Sequence, residues 1–212
     1  MTTPPHLPTG RPPEGGPAAT NALDPLAEFQ TLFARISQDA PHDPTAVALA
    51  TADASGAPSA RMVLLKGVDA RGFHFFTNYD SRKGRELAEN PRAALCWHWD
   101  WLEMQVRAEG TVERLSATES DAYFATRPRG HQLGAWASFQ SQPLDSRFAL
   151  LRRVIATEAR YLGRAIPRPP HWGGFLLRPE RIEFWQGKKS RLHERRHFYL
   201  EQGVWRCERL SP

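Results

Sequence analysis

Five stretches of the sequence combine cations with small polar or aromatic residues in a way that a hydrophobic core does not require. They are residues 61–66 (RMVLLK), 76–84 (FTNYDSRKG), 103–106 (EMQV), 123–129 (YFATRPR) and 184–195, where FWQG runs on to RLHER. In the first, Arg61 and Lys66 bracket Met62, Val63, Leu64 and Leu65, as a strand with solvated ends or with ends that hold an anion. Ser81-Arg82-Lys83 opens a predicted helix. Free backbone N–H groups and the positive dipole end favour an anion there, so the two cations form either a phosphate clamp or an exposed helix start. Gln105 falls on the polar side of an alternating strand, where its amide could pair with a heterocycle that offers donors and acceptors. Tyr123 and Arg127 stand four apart near a helix end and share a face. They could hold a second phosphate, or the Tyr could simply pack over the Arg stem. Arg191 and His193, two apart, are expected on one face of a strand. A cation beside a titratable imidazole suits an anionic aromatic substrate, and it also suits a surface strand. Taken together, the residues describe a pocket for phosphorylated, planar ligands.

Other chemistries lack their signatures. There is no G-x-G-x-x-G, no G-x-x-x-x-G-K and no nucleophile elbow. His193-Glu194-Arg195-Arg196-His197 matches H-E-x-x-H literally, but that pattern holds zinc only on a helix. Phe198-Tyr199-Leu200 favours an extended chain, on which the two imidazoles would stand about 13 Å apart, so no metal site is expected. Cys96 and Cys207 have no short spacing and are expected as reduced thiols.

The elements that must position these residues follow from composition and period. The chain has 212 residues, 41% of them hydrophobic and 24% charged, which fits one globular domain with a full core. Its longest apolar runs are far short of the roughly 18 residues a membrane span needs, and no secretory signal opens it, so a cytoplasmic protein is expected. Residues 1–23 hold six prolines and three glycines with few large apolar side chains, the composition of a disordered tail ahead of a domain over 24–212. Residues 24–40 read as an amphipathic helix behind an Asp24 cap. Strands are expected over 45–51, 60–66, 72–77, 93–99, 102–115, 175–177, 181–186, 197–200 and 204–208, with helices over 81–89, 117–125 and 145–161. That order suggests an antiparallel β-barrel decorated by helices. The formal charge is +5, and residues 181–209 carry eight basic and four acidic residues. Such an excess fits a nucleic-acid footprint or a pocket for a small anion, and composition does not choose.

From Asp24 to Pro212 the sequence resembles the pyridoxamine (pyridoxine) 5′-phosphate oxidase family. The resemblance is carried by RMVLLK at 61–66, TNYDSRKGREL at 77–87, RPRG at 127–130, GAWAS at 134–138, QS at 140–141, WGGF at 172–175, and IEFWQG with RLHER between 182 and 195. It implies a mainly β fold with helices, the antiparallel, Greek-key FMN-binding split β-barrel, acting as a homodimer whose flavin sites draw on both subunits. Carried over position by position, it implies that Arg61, Met62, Val63, Leu64, Leu65, Lys66, Phe76, Thr77, Arg82, Lys83, Gln105, Gln140, Ser141, Trp185 and Arg195 line the FMN site. Lys66, Tyr123, Arg127 and His131 would hold the substrate phosphate, while Arg191, Leu192 and His193 would cover the pyridine ring. Arg191 and His193 would orient and polarise the substrate. The implied reaction is oxidation of pyridoxamine and pyridoxine 5′-phosphates to pyridoxal 5′-phosphate by hydride transfer to FMN, with O₂ reduced to H₂O₂.

Three positions depart from the family pattern. His131 stands where members usually carry Ser, Met104 stands where Arg usually precedes the Gln, and no Tyr occurs before Tyr79 to form an N-terminal lid. Two other readings compete. One is an FMN oxidase of another substrate, such as a dihydrophenazine intermediate. The other is a non-enzymatic nucleic-acid binder, suggested by the sequence pI near 9.6 and seven tryptophans.

Overall fold

The computed structural model describes residues 23–212, so the proline-rich tail expected over 1–23 lies, but for Leu23, outside the described residues. Helix α1 (Pro25–Gln38) starts as expected, because the Asp24 carboxylate accepts hydrogen bonds from the amides of Leu26 and Ala27. The strands are β1 (Ala46–Ala52), β2 (Pro58–Leu64), β3 (Gly67–Asp69), β4 (Gly72–Asn78), β5 (Arg92–Trp99), β6 (Met104–Arg114), β7 (Trp172–Gln186), β8 (Glu194–Glu201) and β9 (Val204–Arg209). The remaining helices are α2 (Arg82–Glu89), α3 (Ala117–Thr126), α4 (Arg129–Ala137) and α5 (Arg147–Arg160). Among the described residues the strands form one nine-stranded antiparallel sheet, ordered β2-β1-β5-β6-β7-β4-β3, with β8 on β7 and β9 on β8. This is the mainly β, helix-decorated split barrel that was expected.

Strand β7 organises the barrel. It was expected as two strands, 175–177 and 181–186, because Pro179 interrupts the run; in the fold it is continuous over 15 residues. Strand β6 pairs with it from Phe175 to Gln186, and the register shifts by one residue where Gly110 faces Pro179. Such a bulge accommodates the missing proline N–H. It also demands Gly110, since a Cβ there would lie 1.9 Å from the carbonyl oxygen of Arg178. On its other edge β7 pairs first with β4 (Phe76 opposite Gly174) and then with β8 (Trp185 opposite Arg195), so one strand serves two parts of the sheet.

Helix α1 covers the core. Phe29 is fully buried among Phe73 of β4 (ring centroids 4.9 Å), Trp97 of β5 (4.8 Å) and Trp99 (6.3 Å). Trp97 and Trp99 are therefore core residues. A second apolar cluster of Phe124, Leu133, Ile166 and Trp172 ties α3 and α4 to the start of β7. Helix α4 was not expected, because Gly130 and Gly134 weaken its helical signal; Leu133 and Ala137 bury one face of it. Helix α5 packs mainly on α4 and leaves Phe148, Leu151 and Ile155 exposed. Among the described residues no helix is long and apolar enough to cross a membrane.

Candidate active site

A cleft of about 710 Å³ opens between β2, β4, the start of α2 and the α3–α4 corner. That volume is within the roughly 300–1,000 Å³ usual for small-molecule sites. Of the residues expected from the sequence it gathers Met62, Val63, Leu64, Lys66, Phe76, Thr77, Lys83, Tyr123, Arg127, His131 and Gln140.

Each wall has a physical cause. Ser81 caps α2: its hydroxyl accepts from the Gly84 amide at 3.3 Å, donates to the Asn78 carbonyl at 2.7 Å, and receives the Lys83 ammonium at 3.0 Å. Gly84 is required because a Cβ would sit 2.1 Å from the Tyr79 carbonyl oxygen. The Lys83 ammonium also donates to Gln140 Oε1 at 3.0 Å, and Thr77 Oγ1 donates to the same oxygen at 3.3 Å. Burial, with some repulsion from Arg61, lowers the Lys83 pKa to about 8. Ser141, next along, is held at φ 66°, a left-handed conformation a serine rarely adopts.

The opposite wall is aromatic and cationic. The Tyr123 ring stacks on Phe76 at 3.8 Å, and the Arg127 guanidinium lies 4.5 Å over the Trp172 ring. Burial raises the Tyr123 pKa and lowers that of Arg127. Arg127 Nη1 is buried with no hydrogen-bond partner among the described residues. A buried donor without an acceptor is costly, so this nitrogen is directed toward an acceptor from outside the chain. Trp172 belongs to the cleft and was not expected there; its place in the WGGF motif was the only sequence signal.

Other expected residues do different work within the protomer. Arg61 and Arg82 converge on the buried carboxylate of Glu86, at 3.2 Å and 2.8 Å. Burial would raise the Glu86 pKa, but hydrogen bonds from Ser59, Thr51, Arg82 and Arg61 outweigh it and bring it to about 2. Leu65 is buried in the core. Gln105, Trp185 and Arg195 stand abreast across β6, β7 and β8, so they share one face. Trp185 and Gly174, the partner of Phe76, are eleven residues apart on β7, or about 36 Å of extended chain, and none of the three lines the cleft. The Arg195 guanidinium is bound to Glu183 at 2.8 Å and 3.1 Å and to the Ser211 carbonyl at 2.9 Å.

The strand expected to carry Arg191 and His193 side by side begins only at Glu194. Ser190 and Arg191 have φ of 58° and 61°, outside the extended region, so the two-residue alternation does not apply. His193 instead lies against Trp185 (4.6 Å between ring centroids), and its Nδ1 faces the Lys188 amide at 3.3 Å. Leu192 projects outward, 70% exposed. The cationic excess of residues 181–209 is also mostly spent within the chain. Arg181, Lys188, Arg195, Arg196 and Arg206 pair with Glu109, Glu194, Glu183, Glu28 and Glu201.

Residues 37–162 match the family model described as pyridoxamine 5′-phosphate oxidase, and residues 172–212 match that of the pyridoxine 5′-phosphate oxidase C-terminal dimerisation region. The chain belongs to the pyridoxamine 5′-phosphate oxidase family. Pyridoxine/pyridoxamine 5′-phosphate oxidases of Rubrobacter xylanophilus and Anaeromyxobacter dehalogenans are each 56% identical to it, over 89% and 90% of this chain and 87% and 96% of theirs. Among solved structures, PhzG from Burkholderia lata, in complex with tetrahydrophenazine-1-carboxylic acid, superposes with TM-score 0.86 at 32% identity, covering 91% of this chain and 95% of that one. As a member of the family the protein is an oxidase with a flavin cofactor. The cleft fits such a group: among the described residues the buried Lys83 ammonium is held at hydrogen-bond distance only by the neutral oxygens of Ser81 and Gln140, whereas Ser141 does not line the cleft.

Proposed function

We propose that the protein oxidises pyridoxamine 5′-phosphate and pyridoxine 5′-phosphate to pyridoxal 5′-phosphate with FMN as its flavin and O₂ as electron acceptor, as a cytoplasmic homodimer. The observation that carries this reading is the buried Arg127 Nη1, which has no acceptor among the described residues and shares one cleft with Lys66 and Tyr123. A phosphate oxygen satisfies that donor, and Lys66 neutralises the remaining charge. His131 lines the same cleft.

Lys83 and Gln140 serve the polar end of FMN, while Met62, Val63 and Leu64 supply a strand edge and apolar surface along its length. When bound, FMN supplies hydride acceptance at N5 and electron delivery to O₂, with H₂O₂ as second product. The protein's part is to hold the substrate carbon at short range, keep its phosphate neutralised and exclude water. Gln105, Trp185, Arg195 and the Arg191–His193 loop complete the site from the partner subunit. Their distance from the cleft along β7, the exposed Leu192, and the exposed Met62 and Leu64 at the cleft support that reading, as does the match to a dimerisation region. Arg191 and His193 then cover and polarise the pyridine ring.

A dihydrophenazine-type substrate is the second reading, favoured by the likeness to PhzG. Retention of Lys66, Tyr123 and Arg127 as a phosphate set speaks against it. The nucleic-acid reading is weakened by the ion pairing of residues 181–209 and the burial of Trp97 and Trp99. The test is anaerobic addition of pyridoxine 5′-phosphate to the yellow FMN-loaded protein. Bleaching of the flavin with release of pyridoxal 5′-phosphate is expected; an unchanged spectrum, with turnover of a dihydrophenazine instead, would overturn it.

A further inference from the structure

We propose that the outer face of α5 is a docking surface for an anionic lipid bilayer, on which the protein rests without crossing it. The face lies outside the cleft, since none of the residues lining the cleft belongs to α5, and the proposal does not depend on the substrate reading above.

Helix α5 is apolar on two sides. Its inner positions Leu150 and Val154 are half-buried where it packs on α4. On the outer side Phe148, Leu151 and Ile155 recur at steps of three and four, and Leu162 follows just past the helix end. All four are exposed, Phe148 by 76% and Leu162 by 75%. One apolar side is enough to hold a surface helix on its fold, so the second stripe is surplus to packing. Cations flank it. At about 100° per residue Arg152 stands about 40° to one side of Phe148, and Arg147 about 40° beyond Leu151 on the other. Residues 145–164 hold five arginines (147, 152, 153, 160 and 164) against Asp145 and Glu158, a net of +3. Among the described residues none of the five pairs with a carboxylate, in contrast to the cations of residues 181–209. Arg153 lies over the Phe139 ring at 4.6 Å and Arg160 over the Tyr161 ring at 5.4 Å, contacts that leave the positive charge in place.

The charge selects the occupant. A second copy of α5 laid on this face would set one net positive helix against another, and the match to a dimerisation region begins only at residue 172, beyond the helix. From Phe148 to Leu162 the stripe extends about 21 Å at 1.5 Å per residue. A bilayer interface offers an acyl layer with a plane of phosphates above it, so one surface takes the apolar stripe and the arginines on both of its sides at once. The arginine stems lie along the apolar layer while their guanidinium groups stay among the phosphates. Each such cation strengthens binding to an anionic leaflet about fivefold, and the cytoplasmic leaflet carries that charge.

The experiment sediments the full-length, FMN-loaded protein with vesicles of phosphatidylcholine alone, or of phosphatidylcholine and phosphatidylserine at about three to one. Wild type should pellet with the mixed vesicles and not with the neutral ones, and added salt should release it. Arg147→Gln combined with Arg152→Gln should weaken that binding about 25-fold, at about fivefold for each charge. Phe148→Ser combined with Leu151→Ser should weaken it on the order of tenfold or more, through lost apolar burial. None of these four residues lines the cleft, so the flavin content of both double variants should match wild type. Equal sedimentation with the two kinds of vesicle, or binding unchanged in both double variants, would overturn the proposal. So would a Phe148→Ser, Leu151→Ser protein of half the wild-type mass in solution, since a second copy of the chain would then be what covers this face.

Discussion

The ammonium of Lys83 donates to the side-chain amide oxygen of Gln140 at 3.0 Å, joining the start of α2 to the segment between α4 and α5. Both groups face the cleft, so one contact fixes two parts of the wall that residue order alone would not bring together.

Because burial lowers the Lys83 pKa to about 8, its charge is lost in a range the protein can survive. FMN affinity, followed by the fluorescence of released flavin, should weaken as pH rises through 8. Lys83→Gln should cost on the order of tenfold to a hundredfold in affinity and flatten that dependence. In the flavin-free protein the sign reverses. The unfolded chain keeps this proton up to about 10.5, so burial of the charge costs stability below pH 8 and the cost is relieved between about 8 and 10.5.

Arg127→Ala should raise the KM for the phosphorylated substrate on the order of a hundredfold, since a charged donor and its cation–π contact with Trp172 both vanish. Flavin content should stay near wild type. Loss of flavin together with substrate affinity would instead mean that Arg127 supports the whole cleft.

Subunit complementation tests the shared site. On the proposed arrangement Arg127 and Trp185 reach one site from different subunits, so mixing and reassociating Arg127→Ala and Trp185→Ala should restore, at low substrate, about a quarter of the wild-type rate, from one intact site in half of the dimers. Two halves contributed by the same subunit would give no recovery.

Glu86 is buried, and its carboxylate binds Arg61, Arg82, Ser59 and Thr51. Glu86→Ala leaves Arg61 unpaired and should destabilise the fold by about 3–5 kcal/mol in urea titrations. Its pKa in the fold, about 2, lies below the ordinary 4.5, so its contribution is complete above pH 4.5 and is lost as pH falls toward 2. Wild type should therefore lose stability faster than the variant across that interval.

Phe29→Ala removes the ring that contacts Phe73, Trp97 and Trp99, and should cost about 3–5 kcal/mol. A thermal melt shifted by only a degree or two would show that the cavity collapses.

Local signals were legible wherever period and capping decide the structure. Asp24 caps the helix it was expected to cap, α2 begins one residue after the expected start at Ser81, and β1, β4 and β5 begin and end within a residue or so of the apolar runs. Most residues of the cleft were legible too, because their chemistry is local to three motifs. Helix α4 was not, since two glycines hide a helix that is held by Leu133 and Ala137 against its neighbours. The left-handed pair Ser190–Arg191 was not either, because nothing in those two residue types favours a positive φ.

By itself the sequence determined the chemistry: which cations, amides and aromatics are present, which local elements carry them, and which family they belong to. Only the tertiary structure decided their company. Register across β6, β7 and β8 sets Gln105, Trp185 and Arg195 in one row, remote from the cleft. Long-range ion pairs absorb cations such as Arg195 and Arg196 that composition left available. The burial of Arg127 Nη1 without a partner likewise depends on where Phe124 and Trp172 pack. The physical reason is common to all three: strand pairing, ion pairing and burial join residues of different elements, and no local pattern encodes a contact whose partner lies in another element.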